Sequence, residues 1–226
     1  ARPFDPARLD QTVKRFIALG LPKEEDELPL PPEPSLRTDE ENLRSAVQRL
    51  SLTPTAATVA IMPGAEYGPA KRWPADRFGA LAARLAGAGS QVWLLGSESE
   101  RRLGEAVRVA ADHDDVLNLC GRTTLADAVD LLGAAAVAVT NDSGLMHIAA
   151  AVDTHVVSLY GSTTPRFTPP LTERKDILYR NLECSPCFRR KCPLGHFNCM
   201  MELSVDDVAN VAKAALDGRS AAGNRH

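Results

Sequence analysis

Apolar positions along this chain alternate between two periods. Short apolar runs at residues 57–62, 91–95, 116–119, 136–139 and 155–160 have the length and β-branched content of buried strands. Between them, apolar residues recur every three to four positions and predict amphipathic helices over 75–87, 98–111, 124–134 and 144–151. Phe78, Leu81, Ala82 and Leu85 form the inner face of the first, and Leu125, Val129 and Leu132 are expected to point inward from the third. Two further helices are predicted upstream. Residues 7–20 carry Leu9, Val13, Phe16, Ile17 and Leu19 at helical spacing, and residues 39–50 carry Leu43, Val47 and Leu50 on one face. Residues 21–38 hold Pro22, Pro29, Pro31, Pro32 and Pro34 among acids. Proline fixes its own φ and has no N–H to donate, so this stretch is a linker.

Strand-helix alternation with short connections predicts an α/β fold: a Rossmann-like parallel sheet with helices on both faces. Right-handed crossovers then bring every strand's C-terminal end to one edge, where such sheets bind ligands. The loops after Met62, Leu95, Leu119, Val139 and Tyr160 therefore face the expected site. The polar stretch 218–226 is expected to be a disordered tail.

Composition narrows the function. The 226 residues are 44% hydrophobic and 24% charged, with a net charge of -3. That balance argues against a nucleic-acid binder, which is usually strongly basic. No apolar run approaches the roughly 18 residues that span a bilayer. The start at Ala1 shows neither an initiator Met nor a signal-peptide pattern, and the expectation is a chain cut from a longer one.

The ligand-edge loops carry candidate chemistry. Gly64 and Ala65 open a loop whose backbone can approach a ligand closely, and Lys71-Arg72 adds fixed positive charge. Ser97 reads as a helix cap, and Glu100 either complements the helix dipole or accepts bonds from sugar hydroxyls. Thr123 or Thr124 caps the next helix. The segment Thr140-Asn141-Asp142-Ser143-Gly144 leads from a strand into the helix carrying His147. A helix N-terminus with unpaired N–H groups and partial positive charge suits a phosphate. His147 lies one turn after Ser143, on the same face. Asp142 beside a phosphate is unfavourable without a cation, so it is expected to bond sugar hydroxyls or to orient Lys71. Gly161-Ser162-Thr163-Thr164 forms a further phosphate-sized turn.

Together the stretches PGAEYGPAKRWP (63–74), TNDSGLMHIAAA (140–151) and LYGSTTPRFTPPL (159–171) resemble the ADP-heptose:lipopolysaccharide heptosyltransferases, glycosyltransferase family 9. The resemblance extends over residues 57–217 and implies half of a GT-B architecture, two Rossmann-like domains facing across a cleft. It makes residues 1–20 the closing segment of an N-terminal domain otherwise absent, and residues 39–217 the C-terminal domain that binds the donor ADP-heptose. The implied donor contacts are Gly64, Ala65, Lys71, Glu100, Thr123, Asp142, Ser143, Gly144 and His147. The implied reaction is inverting transfer of heptose to the lipopolysaccharide core acceptor, with no cofactor required for catalysis. Lys71 and His147 would stabilise the departing diphosphate, and the general base would lie in the absent domain. The chain alone is then expected to bind ADP-heptose without transferring heptose. The implied location is cytoplasmic, with room for peripheral contact at the inner face of the inner membrane. The rivals are another GT-B nucleotide-sugar enzyme and a non-catalytic nucleotide-binding or zinc-stabilised interaction module.

Four of the five cysteines, Cys184, Cys187, Cys192 and Cys199, crowd into residues 184–199. Cys184-x2-Cys187 makes a good half-site for tetrahedral zinc, and His196 is a substitute ligand. A structural zinc is the leading reading; reduced thiols or disulfides are the others. Cys120 reads as a small buried residue rather than a nucleophile.

Overall fold

The computed structural model describes residues 7–22 and 27–223. Parts of the expected N-terminal segment (1–6), the linker (23–26) and the tail (224–226) lie outside the described residues.

Two helices, α1 (Thr12–Gly20) and α2 (Glu40–Leu50), precede the sheet. The repeating part follows: β1 (Val59–Met62), α3 (Ala75–Gly87), β2 (Val92–Leu94), α4 (Arg101–Ala111), β3 (Val116–Asn118), α5 (Leu125–Ala134), β4 (Val137–Asn141), α6 (Gly144–Ala151) and β5 (His155–Tyr160). The chain continues through β6 (Lys175–Tyr179), α7 (Asn198–Met201) and α8 (Val205–Gly223). All six strands are parallel, in the order β3-β2-β1-β4-β5-β6. This is the doubly wound order, and its chain reversal falls between β1 and β4, where the crevice for a ligand opens.

Side-chain alternation along the strands sorts the core into two layers. Val59 and Ile61 of β1, with Val137 and Val139 of β4, pack beneath α3, α4 and α8. Ala60, Met62 and Ala138 point to the other face, beneath α2, α5 and α6. The protein is therefore Rossmann-like α/β, with helices on both faces.

Several boundaries and faces depart from the sequence reading. The first helix starts at Thr12, and none of its residues is buried; Phe16 and Leu19 are 69% and 81% exposed. Leu125, expected inward, is 67% exposed, because it is the first residue of α5 and projects into the ligand cavity. The buried side of α5 instead includes two acids. Asp127 is paired with Arg49, while Asp130 accepts from the Asp39 N–H and the Asn42 amide, which pins α2 to α5. The last helix runs to Gly223, beyond the boundary expected at residue 217.

Candidate functional site

At the C-terminal ends of the strands, a cavity of about 750 Å³ opens between the loops after β1, β2 and β3 and the start of α6. That volume suits a ligand the size of a dinucleotide or nucleotide sugar. Of the nine expected donor contacts, Gly64, Ala65, Glu100, Thr123, Ser143 and Gly144 line it. Lys71, Asp142 and His147 do not. They form a second polar cluster, joined to the cavity through the Asp142–Ser143 peptide.

Each helix start on this edge is built differently. Thr124 caps α5 by accepting from the Asp127 N–H, and the Asp127 carboxylate accepts from the Thr124 N–H in return. That start is closed to an anion, although Thr123 and Thr124 both line the cavity. Glu100 accepts from the Ser97 N–H at 2.8 Å and from its hydroxyl at 3.0 Å. The bonded carboxylate still lines the cavity. Its position depends on glycine: a Cβ at Gly64 would fall 1.6 Å from Glu100 Oε1.

Helix α6 is open. Its N-cap Ser143 makes no side-chain cap bond, so no side chain of the described residues caps the first-turn amides. Gly144 has nothing within 4 Å of where a Cβ would stand. An uncapped helix N-terminus lining a cavity is an anion site by geometry and by dipole.

Beside it, Asp142 is 5% exposed and receives three donors. Lys71 Nζ lies 2.6 Å from its Oδ2, Thr163 donates to the same oxygen at 2.7 Å, and Thr168 donates to Oδ1 at 3.2 Å. Of the two expected roles, the structure shows Asp142 orienting Lys71. The pair also resolves the electrostatic conflict, because a lysine neutralises the acid that precedes the anion site. Burial pushes His147 below the usual imidazole range; the Asp142 charge pulls it up and Lys71 pushes it down again. At neutral pH the ring is therefore uncharged and offers a hydrogen bond rather than a full charge.

Three residues take positions that the sequence did not specify. Arg72 lines the cavity and grips the Ala65 carbonyl through Nε and Nη2 at 3.1 and 2.9 Å. Asn141 is fully buried and ties three strands of backbone: its Oδ1 accepts from the Trp73 N–H at 3.0 Å, and its Nδ2 donates to the Pro63 and Gly64 carbonyls at 2.8 and 3.3 Å. Thr163 holds Asp142. The available signal for Asn141 was a polar residue ending a fully buried strand, where a partner is obligatory.

The cysteine-bearing segment follows β6 and thus reaches the same edge of the sheet. All five cysteines are free thiols. Burial pushes Cys199 up, as do Cys187, Cys184 and Cys192 nearby. Burial also acts against ionisation of Cys192, but the amides of Phe197, Leu194, Gly195 and His196 directed at its sulfur bring it below the usual thiol range. The donor set has zinc's chemistry, yet among the described residues no three His, Cys, Asp or Glu side chains are gathered into a metal-holding group. Cys120 is 1% exposed, and burial, with the Glu100 charge, pushes its thiol up to about 12, which suits a packing residue.

Comparison with known proteins places this arrangement. The sequence profile of Glycosyltransferase family 9 (heptosyltransferase) matches residues 1–198. The Lipooligosaccharide heptosyltransferase 2 of Haemophilus influenzae is 39% identical over 178 residues, covering 74% of this chain and 51% of that protein. The chain spans about half the length of the curated relatives it matches. Among solved structures, E. coli ADP-heptose lps heptosyltransferase II superposes with a TM-score of 0.82 at 31% identity, over 97% of this chain and 66% of that one. E. coli heptosyltransferase WaaC with ADP-2-deoxy-2-fluoro heptose shares the fold, with a TM-score of 0.55 at 21% identity over 81% of this chain and 50% of that one. On the profile match and the relatives' identity, the chain belongs to glycosyltransferase family 9, the heptosyltransferases.

Proposed function

We propose that this chain supplies the donor site of an inverting heptosyltransferase that carries L-glycero-D-manno-heptose from ADP-heptose to the lipopolysaccharide inner core, as the second heptose. The carrying observation is the uncapped start of α6, opening on the cavity beside the neutralised Lys71–Asp142 pair. The diphosphate sits on the α6 amides. The adenine lies against the apolar wall of Leu103, Leu125, Ala128 and Ile148, and Glu100 and Thr123 bond ribose or sugar hydroxyls. Relatives named as heptosyltransferase 2, and a fold neighbour solved with an ADP-heptose analogue, support the choice of donor.

In the reaction an acceptor hydroxyl oxygen bonds to the anomeric carbon as the bond from that carbon to the β-phosphate oxygen breaks. ADP leaves with the electron pair, and the hydroxyl proton goes to a base. Negative charge grows on the diphosphate, so preplaced donors there lower the barrier. The α6 amides, Lys71 and the neutral His147 supply them. In this reading, residues 39–217 form the donor domain, residues 1–20 close a second domain, and that domain brings the base and the lipid-linked acceptor. The work is done at the cytoplasmic face of the inner membrane. Among the described residues no helix is long and apolar enough to cross a membrane.

Calorimetry with a panel of nucleoside diphosphates tests this directly. ADP is expected to bind the isolated chain at least tenfold more tightly than the uridine, guanosine and cytidine diphosphates, with no heptose transfer. A preference for another base would favour a different GT-B enzyme, and measurable turnover would refute the division of labour.

A second reading concerns Cys184, Cys187, Cys192 and Cys199 as a structural zinc set. The four amides that bring the Cys192 thiol below its usual range favour it, because they stabilise the thiolate form that binds zinc. Protein purified under reducing conditions should then carry one zinc per chain; a substoichiometric trace would end the idea.

A further inference from the structure

The cysteine-bearing segment 184–199 bonds to the loops that carry both halves of the Lys71–Asp142 pair. On the Lys71 side, the Arg190 carbonyl accepts from the Ala70 N–H at 3.1 Å, and Gly68 lies so close that a Cβ there would meet that carbonyl at 2.6 Å. Tyr67 donates its hydroxyl to the Phe188 carbonyl at 2.8 Å. Its ring then carries two cations: Lys71 Nζ stands 5.3 Å from the centroid and the Arg190 guanidinium 5.4 Å. On the Asp142 side, Phe188 donates its N–H to the Ser162 carbonyl at 2.8 Å, and Ser185 donates its hydroxyl to the Gly161 carbonyl. Those bonds fix the turn whose Thr163 holds Asp142.

A lysine ammonium on a four-carbon stem is a mobile point charge, and it stabilises a leaving group only if it is held in place beforehand. Here it is held from two directions: by the Asp142 carboxylate and by the Tyr67 ring face, both tied to one segment. We propose that segment 184–199 is a brace for Lys71, with Tyr67 and Arg190 as positioning residues for the donor's diphosphate. This inference rests on the reading of Lys71 as the diphosphate cation.

The test compares ADP with adenosine on the full chain, because only ADP reports the diphosphate contact. Tyr67 is 40% exposed, so Tyr67→Leu should fold, and its melting temperature checks that. Tyr67→Leu is expected to weaken ADP about threefold to tenfold and leave adenosine unchanged, while Tyr67→Phe, which keeps the ring but loses the hydroxyl bond to Phe188, should fall between Tyr67→Leu and wild type. In a Lys71→Ala background, Tyr67→Leu should cost nothing further. If Lys71→Ala weakens ADP but Tyr67→Leu does not, or weakens ADP and adenosine alike, the brace is wrong and the donor site stands. If Lys71→Ala binds ADP as wild type does, the donor reading fails and the brace falls with it.

Discussion

Lys71→Ala is expected to weaken ADP binding at least tenfold and to cost about 3 kcal/mol of stability, the low end of what breaking a buried ion pair costs. Asp142 would keep the Thr163 and Thr168 hydroxyls but lose its only salt-bridge partner among the described residues, at 5% exposure. The low end applies because the Lys71 side chain retains 15% exposure, so water partly compensates. The two losses have separate origins. Destabilisation comes from an unpaired buried charge, whereas the affinity loss comes from the missing cation beside the phosphate site. The double variant Lys71→Met with Asp142→Asn removes the charge conflict without restoring the cation. Urea denaturation should show most of the stability recovered, and calorimetry should show ADP still weak. Recovery of both, or of neither, would contradict the assignment.

The second large effect is expected at Asn141. Asn141→Asp keeps the size and the acceptor for the Trp73 N–H but sets an oxygen against the Pro63 and Gly64 carbonyls. At neutral pH that buries a carboxylate facing two acceptors, at a cost of about 3 kcal/mol. The folded protein would resist ionisation there, so this carboxyl's pKa rises above its unfolded value. The sign follows: the folded state binds the proton more readily, and the variant regains stability as pH falls toward the ordinary carboxylate range. Chemical denaturation between pH 5 and 8 should therefore show the deficit of Asn141→Asp shrinking on acidification. A deficit that is flat with pH would mean that the side chain has swung away from the two carbonyls.

Much of this was legible in the chain, and the failures share a cause. The first five strands and the helices between them follow from apolar periodicity, because both faces of the sheet are covered and the runs are continuous. Strand β6 was not read. Its residues Lys175-Asp176-Ile177-Leu178-Tyr179 pair on one side only, and none is buried. An edge strand has no need of an apolar run. That omission also hid the location of the cysteines, since the segment after β6 reaches the ligand edge only if β6 is parallel to the rest. Helix α8 escaped for another reason: two of its three fully packed positions, Val208, Ala212 and Ala215, are alanines, which leave a weak periodic signal. Leu125 and the two acids of α5 reversed the expected burial, because a cavity on one side and Arg49 and Asn42 on the other changed what each face required. At the site, motif and loop position picked out the cavity wall and the Lys71 cluster. Local pattern posed the Lys71–Asp142 pair only as one of two roles for Asp142, since the two are 71 positions apart in the chain.

The contact between Gly64 and Glu100 constrains how this site can change. A side chain at residue 64 and a full-length glutamate at residue 100 claim the same space, so the two positions are epistatic. Varying residue 64 alone should displace the Glu100 carboxylate from the cavity wall, and the cause would be the length of residue 100 rather than any need for glycine's backbone freedom. Shortening Glu100 to Asp withdraws the carboxylate and opens room for alanine at 64, at the expense of reach toward a sugar hydroxyl. A search for altered donor selectivity at this wall therefore has to move both positions together.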